Sequence, residues 1–488
     1  MYTHDSRQIG FHDQPHLFGG LPLNEDNRWV KLAGLIPWSR VEDEYRKNFS
    51  VNRGEQAKSA RLALGCLIVK EQLQLSDRDT VEMIRENPYI QYILGYADYQ
   101  YDLSLDASLL THFRKRFPAD VVAQVNQWIV DAMLHPEDDH GDDGDDDDGS
   151  PTSDDGSEAA GIESENRGTL ILDASCAPQD IQYPTDVRLL HEARQKLEGI
   201  MDTLQVGRSK DKPRHYRERA NKEYNRFSRN RRPTKEQIRT ALRKQLQYVS
   251  RDLRLVSEMQ HDSTATLSDR QRQYLETITR LYEQQQTMYN RRTRRCEDRI
   301  VSIHQPYVRP IVRGKAAAGT EFGAKFTASV VAGYAEVTTL SWDAYNESRD
   351  LVKAAEQYKV RHGCFPERIL ADKIFRTRHN LQYCKENGIH LNGHPLGRPP
   401  ADTKIYDEQR RLEREESGER NGIEGKFGEG KRRFSLGLVM TKLQATSETQ
   451  IHLVILVMNL QKILRDLFVL NFFSRFFVKE YRLMPMIA

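Results

Sequence analysis

Residues 137–158 hold twelve acidic side chains and no Lys or Arg. Such a run cannot bury an apolar core, because its charges repel one another and are best solvated by water. It reads as a disordered linker over residues 136–164, dividing a 488-residue chain whose length suits two to four domains. Its Asp and Gly content alone does not make a calcium loop, since the regular ligand spacing and closing Glu are missing. Residues 1–27 are polar and dotted with Gly and Pro, and read as a flexible arm. The arm carries His4, His12 and His16 but no apolar run of the signal-peptide kind.

Residues 28–135 have a helical pattern. Apolar residues recur at three- and four-residue spacing across 59–73, and Ser76 and Asp106 stand where helix caps are expected. The last of these short helices ends in Arg114, Lys115 and Arg116. Several short helices with a basic end suit a helix-turn-helix-like DNA-binding domain. A plain helical bundle with a solvated basic face is the alternative.

Beyond the linker the period changes. Residues 169–172 form a short β-type run that ends in Asp173, and residues 186–299 then return to long, charged helical segments. Residues 208–244 carry 15 basic and 4 acidic side chains, although the net charge of the whole chain is only +2. Tyr216, Tyr224 and Phe227 are interleaved with those cations. This mixture suits phosphate contact with base or sugar stacking, and Arg229, Arg231 and Arg232 are its densest part. A solvated basic helix is the competing account.

Strand signals resume near residue 300, and the order β-β-α-β-α-β-α predicts an α/β core with both faces covered. A second acid, Asp372, sits in the apolar run RILADKIF. The four glycines among residues 422–430 argue against an unbroken helix up to Lys431. The apolar segment 451–473 is interrupted by Lys462, Arg465 and Asp466, so it reads as a buried strand and helix rather than a membrane span. The five cysteines are scattered without a CxxC pair, which argues against zinc and fits a reducing cytoplasm.

Asp173 and Asp372 end apolar runs, and Glu424 follows Asp372 on the last helical stretch. Two strand carboxylates and a helix carboxylate can together hold two Mg²⁺ ions at a phosphodiester. On one helix face Arg420 and Lys431 would flank Glu424 and reach phosphate. Taken singly, Asp173 could be a strand cap, Asp372 a turn former and Glu424 half of an ion pair with Arg420. Asp343 and Glu347 could fix a turn or join the site. Glu419 and Glu429 point away from the Arg420–Lys431 face, Lys315 and Lys325 could touch phosphate, and Cys176 has no histidine partner that would make it a nucleophile.

LILDASCAPQDIQYPTD, IVSIHQPYVRPIVRGKA, EFGAKFTASV, ILADKIFRTRHN, LGRPP and RNGIEGKFGEGKRRF, together with the helical segments KLAGLIPWSRVEDEYRKNF and DASLLTHFRKRF, resemble bacterial insertion-sequence transposases of the DDE type. The likeness runs from about Asn27 to Leu460. It implies a ribonuclease-H-like, mixed-sheet α/β catalytic core over 165–185 and 300–460, with a helical insertion at 186–299 and a helical tail at 461–488. It implies Asp173, Asp372 and Glu424 as catalytic acids and metal ligands, with two Mg²⁺ ions for which Mn²⁺ can substitute. Arg420, Glu424 and Lys431 match the Arg-x3-Glu-x6-Lys part of one branch's signature. Ser417 stands where that branch has tyrosine. The implied activity is cleavage at terminal inverted repeats and strand transfer into target DNA, by a homodimer or larger assembly in the bacterial nucleoid. The rival reading is a catalytically inactive, repurposed transposase that only binds DNA; a nearer one is a nuclease of the same fold that cuts without joining.

Overall fold

The computed structural model describes residues 23–49, 57–135, 165–312, 319–393 and 403–481. Most of the expected arm, the whole acidic segment 136–164, Lys315 and the LGRPP run lie outside them.

The chain begins with helices α1 (Arg28–Leu35), α2 (Trp38–Arg46), α3 (Ala60–Leu73), α4 (Asp77–Glu86), α5 (Pro88–Ile93), α6 (Ser108–Arg116) and α7 (Ala119–Leu134). Ser59 and Ser76 cap α3 and α4 by accepting from Leu62 N and Asp79 N. Asp106 accepts from Ser108 N at 2.8 Å, at the start of α6. α3 is buried along almost its whole surface, so it forms the centre of this helical part.

Strand β1 (Thr169–Pro178) leads into the helical insertion, α8 (Asp186–Val206), α9 (Arg217–Ser228), α10 (Lys235–Asp262) and α11 (Asp269–Arg291). Capping boxes at Thr234/Gln237 and Ser268/Gln271 start α10 and α11. Leu190, Leu197, Val249, Val256, Ile278 and Leu281 give the insertion its own apolar core.

The sheet is completed by β2 (Arg309–Val312), β3 (Thr320–Val331), β4 (Tyr334–Ser341), β5 (Arg368–Ala371) and β6 (His390–Leu391). α12 (Asp350–His362) precedes β5, α13 (Arg378–Glu386) precedes β6, and α14 (Thr403–Arg433) and α15 (Gln444–Tyr481) follow. The strand order is β2-β3-β1-β5-β6, and β4 also pairs with β3. β1 is antiparallel to β3 and parallel to β5, so the sheet is mixed. β3 and β4 form a hairpin whose turn residues, Ala332 and Gly333, both have positive φ, the geometry that matches strand twist.

Alternation along the strands separates the two faces. Leu170, Leu172 and Ile369 pack with Leu351 and Ala355 of α12 on one face. Ala324, Phe326 and Ala328 pack with Ile423 of α14 and the apolar side of α15 on the other, in a core continuous with the N-terminal helices. Buried asparagines tie that junction. Asn459 of α15 donates to Asn126 Oδ1 of α7 and to Ala335 O of β4, each at 2.8 Å, and accepts from Ala335 N at 2.9 Å. Each polar group finds a partner, so the network fixes one docking of α7, α15 and the sheet.

Four sequence expectations are corrected. The segment from 451 is part of the single helix α15 and holds no strand, because its apolar residues are buried between α7 and the sheet. The strand expected from about residue 300 is confined to β2. β5 ends at Ala371, so Asp372 opens the turn Lys373–Phe375 instead of lying in a strand. α14 is unbroken through its glycines. Among the described residues no helix is long and apolar enough to cross a membrane.

Candidate catalytic site

β1 and β5 run parallel, and their pairing ends at Leu172 opposite Ala371. The next residues are Asp173 and Asp372. Leu172 and Ala371 face α12, so strand alternation turns both acids to the opposite face, under α14. Asp173 is not at a strand end: β1 continues to Pro178 along β3, and only its partnership with β5 stops. Each carboxylate is oriented by a main-chain donor. Asp173 Oδ1 accepts from Ala174 N at 2.8 Å, and Asp372 Oδ1 from Lys373 N at 2.7 Å.

α14 crosses this face in strand order. Glu416 bonds His390 of β6, Glu419 grips Arg368 of β5 with both oxygens (2.9 and 3.3 Å), and Phe427 sits edge-on to Phe326 of β3 at 5.6 Å. From residue 416 to 427 a helix rises about 16 Å, and the three strand spacings from β6 to β3 span about 14 Å. The helix therefore runs nearly perpendicular to the strands, and Arg420 and Glu424 come over β1. Ile423 is fully buried between them and anchors the crossing.

The glycines of α14 divide by environment. A Cβ on Gly430 would lie 2.8 Å from Leu436 Cδ2 and 3.0 Å from Met458 Sδ, so glycine allows close packing there. Gly422 and Gly425 have nothing within 4 Å. Packing at Ile423, Phe427 and Gly430, with the two ion pairs, holds the segment helical against their cost.

Burial raises the Asp173 carboxyl above its usual range, and the Asp372 and Glu424 charges push the same way. The Ala174 N–H and the Arg420 guanidinium oppose them. Arg420 also stands 3.6 Å from Glu424, whose side chain is 58% exposed. Lys431 follows on the last turn of α14. Among the described residues no three His, Cys, Asp or Glu side chains close on one point as a metal cage. The three carboxylates are nevertheless oxygen donors of the kind that suits a hard divalent cation.

The other candidates are otherwise engaged. Glu419 holds Arg368, and Glu429 pairs with Arg465 at 3.1 Å and with Arg433. Lys325 donates to Tyr345 O at 2.7 Å and pairs with Glu347 on the α12 face. Asp343 pairs with Arg309 at 3.3 Å. Arg114 is bidentate to Asp77 (2.7 and 3.0 Å) and joins α4 to α6, leaving Lys115 as the exposed member of its cluster. Arg116 lies over the Phe49 ring. Arg229, Arg231 and Arg232 are exposed between α9 and α10. Ser417 is exposed on α14, one turn before Arg420. Sequence reasoning missed His390 and Arg368, the residues that position α14. Their signal was faint: one buried acid, Glu416, three residues before Glu419.

The family description "Transposase DDE domain" matches residues 369–461, from β5 into α15, a stretch that contains Asp372 and Glu424. A second transposase domain description matches residues 21–116. Over these two stretches the chain is similar to transposases of the DDE type. Asp173 lies outside both matched transposase stretches; β1 meets the DDE stretch by pairing with β5, by packing under α14 and by the main-chain bond from Val439 N to Pro178 O. Over 175 residues the chain is 29% identical to a Rhizobium meliloti protein described as uncharacterized protein ORF8 in the nfe locus, a span covering 36% of this chain and 73% of the relative. No solved structure matches.

Proposed function

We propose that this chain is a DNA transposase that binds the terminal inverted repeats of its insertion sequence, hydrolyses phosphodiester bonds at their ends and joins the 3′-hydroxyls to target DNA. The observation that carries the reading is the meeting of Asp173 and Asp372, from adjacent parallel strands, beneath Arg420 and Glu424 of one crossing helix. The central β1, with an antiparallel neighbour on one side and parallel strands on the other, supports a ribonuclease-H-like core over 165–185 and 300–460.

In this reading Asp173, Asp372 and Glu424 hold two Mg²⁺ ions, which would lower the pKa of an attacking water or 3′-hydroxyl and neutralise charge on the phosphate. Burial, and after it the Asp372 and Glu424 charges, raise the Asp173 carboxyl, and a cation held there would offset the repulsion among the three carboxylates. Arg420 would exchange Glu424 for a DNA phosphate as the third carboxylate turns to the aspartates. Lys431 would hold the next stretch of backbone. The helices of 28–135 would bind end DNA, with Lys115 and Arg116 at the backbone. Two ends must be joined together, so a dimer or larger assembly on nucleoid DNA is expected.

The test is cleavage and joining of DNA carrying the flanking repeats in Mg²⁺, wild type beside Asp372→Ala. The expected result is that wild type cuts and joins while the variant binds the repeats without cutting. Binding without cleavage by wild type, in both Mg²⁺ and Mn²⁺, overturns the proposal.

A further inference from the structure

We infer that the cleft between the helical insertion and the β2–β3 edge of the sheet is a binding site for single-stranded DNA, receiving a strand that leaves the catalytic acids. The inference rests on the transposase reading and adds to it a second, non-catalytic subsite. The cleft has a volume of ≈ 1660 Å³, above the roughly 300–1,000 Å³ of a small-molecule pocket. Its walls carry six cations and a single acid, Asp186. That acid is already paired with Arg299 at 2.7 Å, so the remaining charge faces the cleft uncompensated.

The cations are placed by the end of α11. Arg292 closes that helix in the left-handed conformation, and the turn after it displays Arg292, Arg294 and Arg295 to solvent. No carboxylate pairs with any of these three among the described residues. Opposite them, Arg239 of α10 lies 4.1 Å over the Tyr289 ring. Arg229, Arg231 and Arg232 are exposed beside the wall residues Ser228, Asn230 and Pro233 in sequence.

Charge alone would suit any polyanion, and the aromatic pair on the floor narrows it. Tyr183 is 72% exposed and packs edge-to-face on Phe322, centroids 5.6 Å apart. An exposed tyrosine braced from below offers a flat ring to an unstacked base, and the cations follow a phosphate backbone. That combination is how single strands are held without sequence preference. Duplex DNA keeps its bases stacked inside and has no use for such a ring.

Strand register connects the cleft to the acids. Asp173 pairs with Ala328, and Phe322 lies six residues along β3 on the same face of the sheet. At ~3.4 Å per residue the separation is about 20 Å. Ala324, Phe326 and Ala328 between the two places are buried beneath α14, so a DNA strand reaching Tyr183 and the arginines from the acids would pass around that helix.

The experiment uses the full chain in EDTA, so that catalysis is silent. Fluorescence anisotropy measures binding of a labelled oligothymidine and of its duplex with oligoadenosine. Wild type is expected to bind the single strand more tightly. Tyr183→Ala should weaken that binding about tenfold and leave the duplex unaffected. Combined Arg292→Ala, Arg294→Ala and Arg295→Ala should lower the slope of log K against log salt by about 2. Preference for the duplex, or unchanged single-strand binding in both cleft variants, overturns the inference. If single-strand binding is absent while Mg²⁺-dependent cleavage of repeat DNA persists, the cleft assignment falls and the transposase reading stands. If the single strand binds as expected and no cleavage occurs, only the transposase reading falls.

Discussion

Asp173 and Asp372 each lie one residue beyond the last paired positions, Leu172 and Ala371, of two adjacent parallel strands. They are 199 residues apart in sequence. The helical insertion accounts for most of that interval and does not disturb the relationship, because it leaves from the far end of β1 and returns at β2, on the opposite edge from β5.

The first prediction concerns Asp173 and metal. Its carboxyl is raised in the folded chain, chiefly by burial. The folded state therefore binds a proton more readily than the unfolded state, and stability is lost as pH rises from about 4 through the folded value. In metal-free buffer at neutral pH, Asp173→Asn should melt at a higher temperature than wild type, and the advantage should vanish in acid. Mg²⁺ should raise the Tm of wild type and leave the variant unmoved. A variant that melts lower at neutral pH, with an unchanged response to Mg²⁺, would refute this.

Three acids on α14 separate by their partners. Glu424→Gln should abolish cleavage while the fold persists, since this side chain is mostly exposed and, among the described residues, is ion-paired with Arg420 alone. Glu429→Gln, in the Arg465 pair, should leave cleavage within a few-fold of wild type. Glu419→Gln should also cut, with lower stability because Arg368 loses its carboxylate. Rates on repeat DNA beside urea unfolding curves check all three.

The glycines of α14 give stability changes of opposite sign. Gly422→Ala and Gly425→Ala enter open space and should each stabilise by roughly 0.5–1 kcal/mol. Gly430→Ala must displace Leu436 and Met458 and should destabilise by about 1–3 kcal/mol. Urea midpoints of the three variants decide the matter.

The insertion has its own pH dependence. Burial, with the Glu198 charge, lifts the Asp252 carboxyl in α10 to about 7, against ~3.9 in an unfolded chain. The folded state holds the extra proton between these values, so the stabilisation present below about pH 4 is lost as pH rises toward about 7. Asp252→Asn should flatten this slope and stabilise the insertion at pH 8. Hydrogen exchange of α8 and α10 amides across that range measures it.

Much of the helical half was legible because caps and periodicity are local: Ser76 and Asp106 each act within one turn of their own position. Asp173, Asp372 and Glu424 stood out through neighbouring apolar runs and spacing, and family likeness singled them out among 71 acidic residues. The glycines of α14 misled, since local propensity disfavours the helix that Ile423, Phe427 and Gly430 stabilise by tertiary packing. The segment after 451 misled for a related reason. A run apolar on most sides can be strand or buried helix, and contact with α7 and β4 selected the helix.

By itself, then, the sequence determined where helices begin, which segments alternate as strands, where the charge is concentrated and which acids were worth considering. Tertiary structure alone decided that Glu419 serves Arg368 while Glu424 pairs with Arg420 within electrostatic reach of Asp173, and that Arg114 holds Asp77. The physical reason is the range of the forces involved. Propensity and capping act over a few residues, whereas the pairing of charges depends on which strands and helices pack side by side.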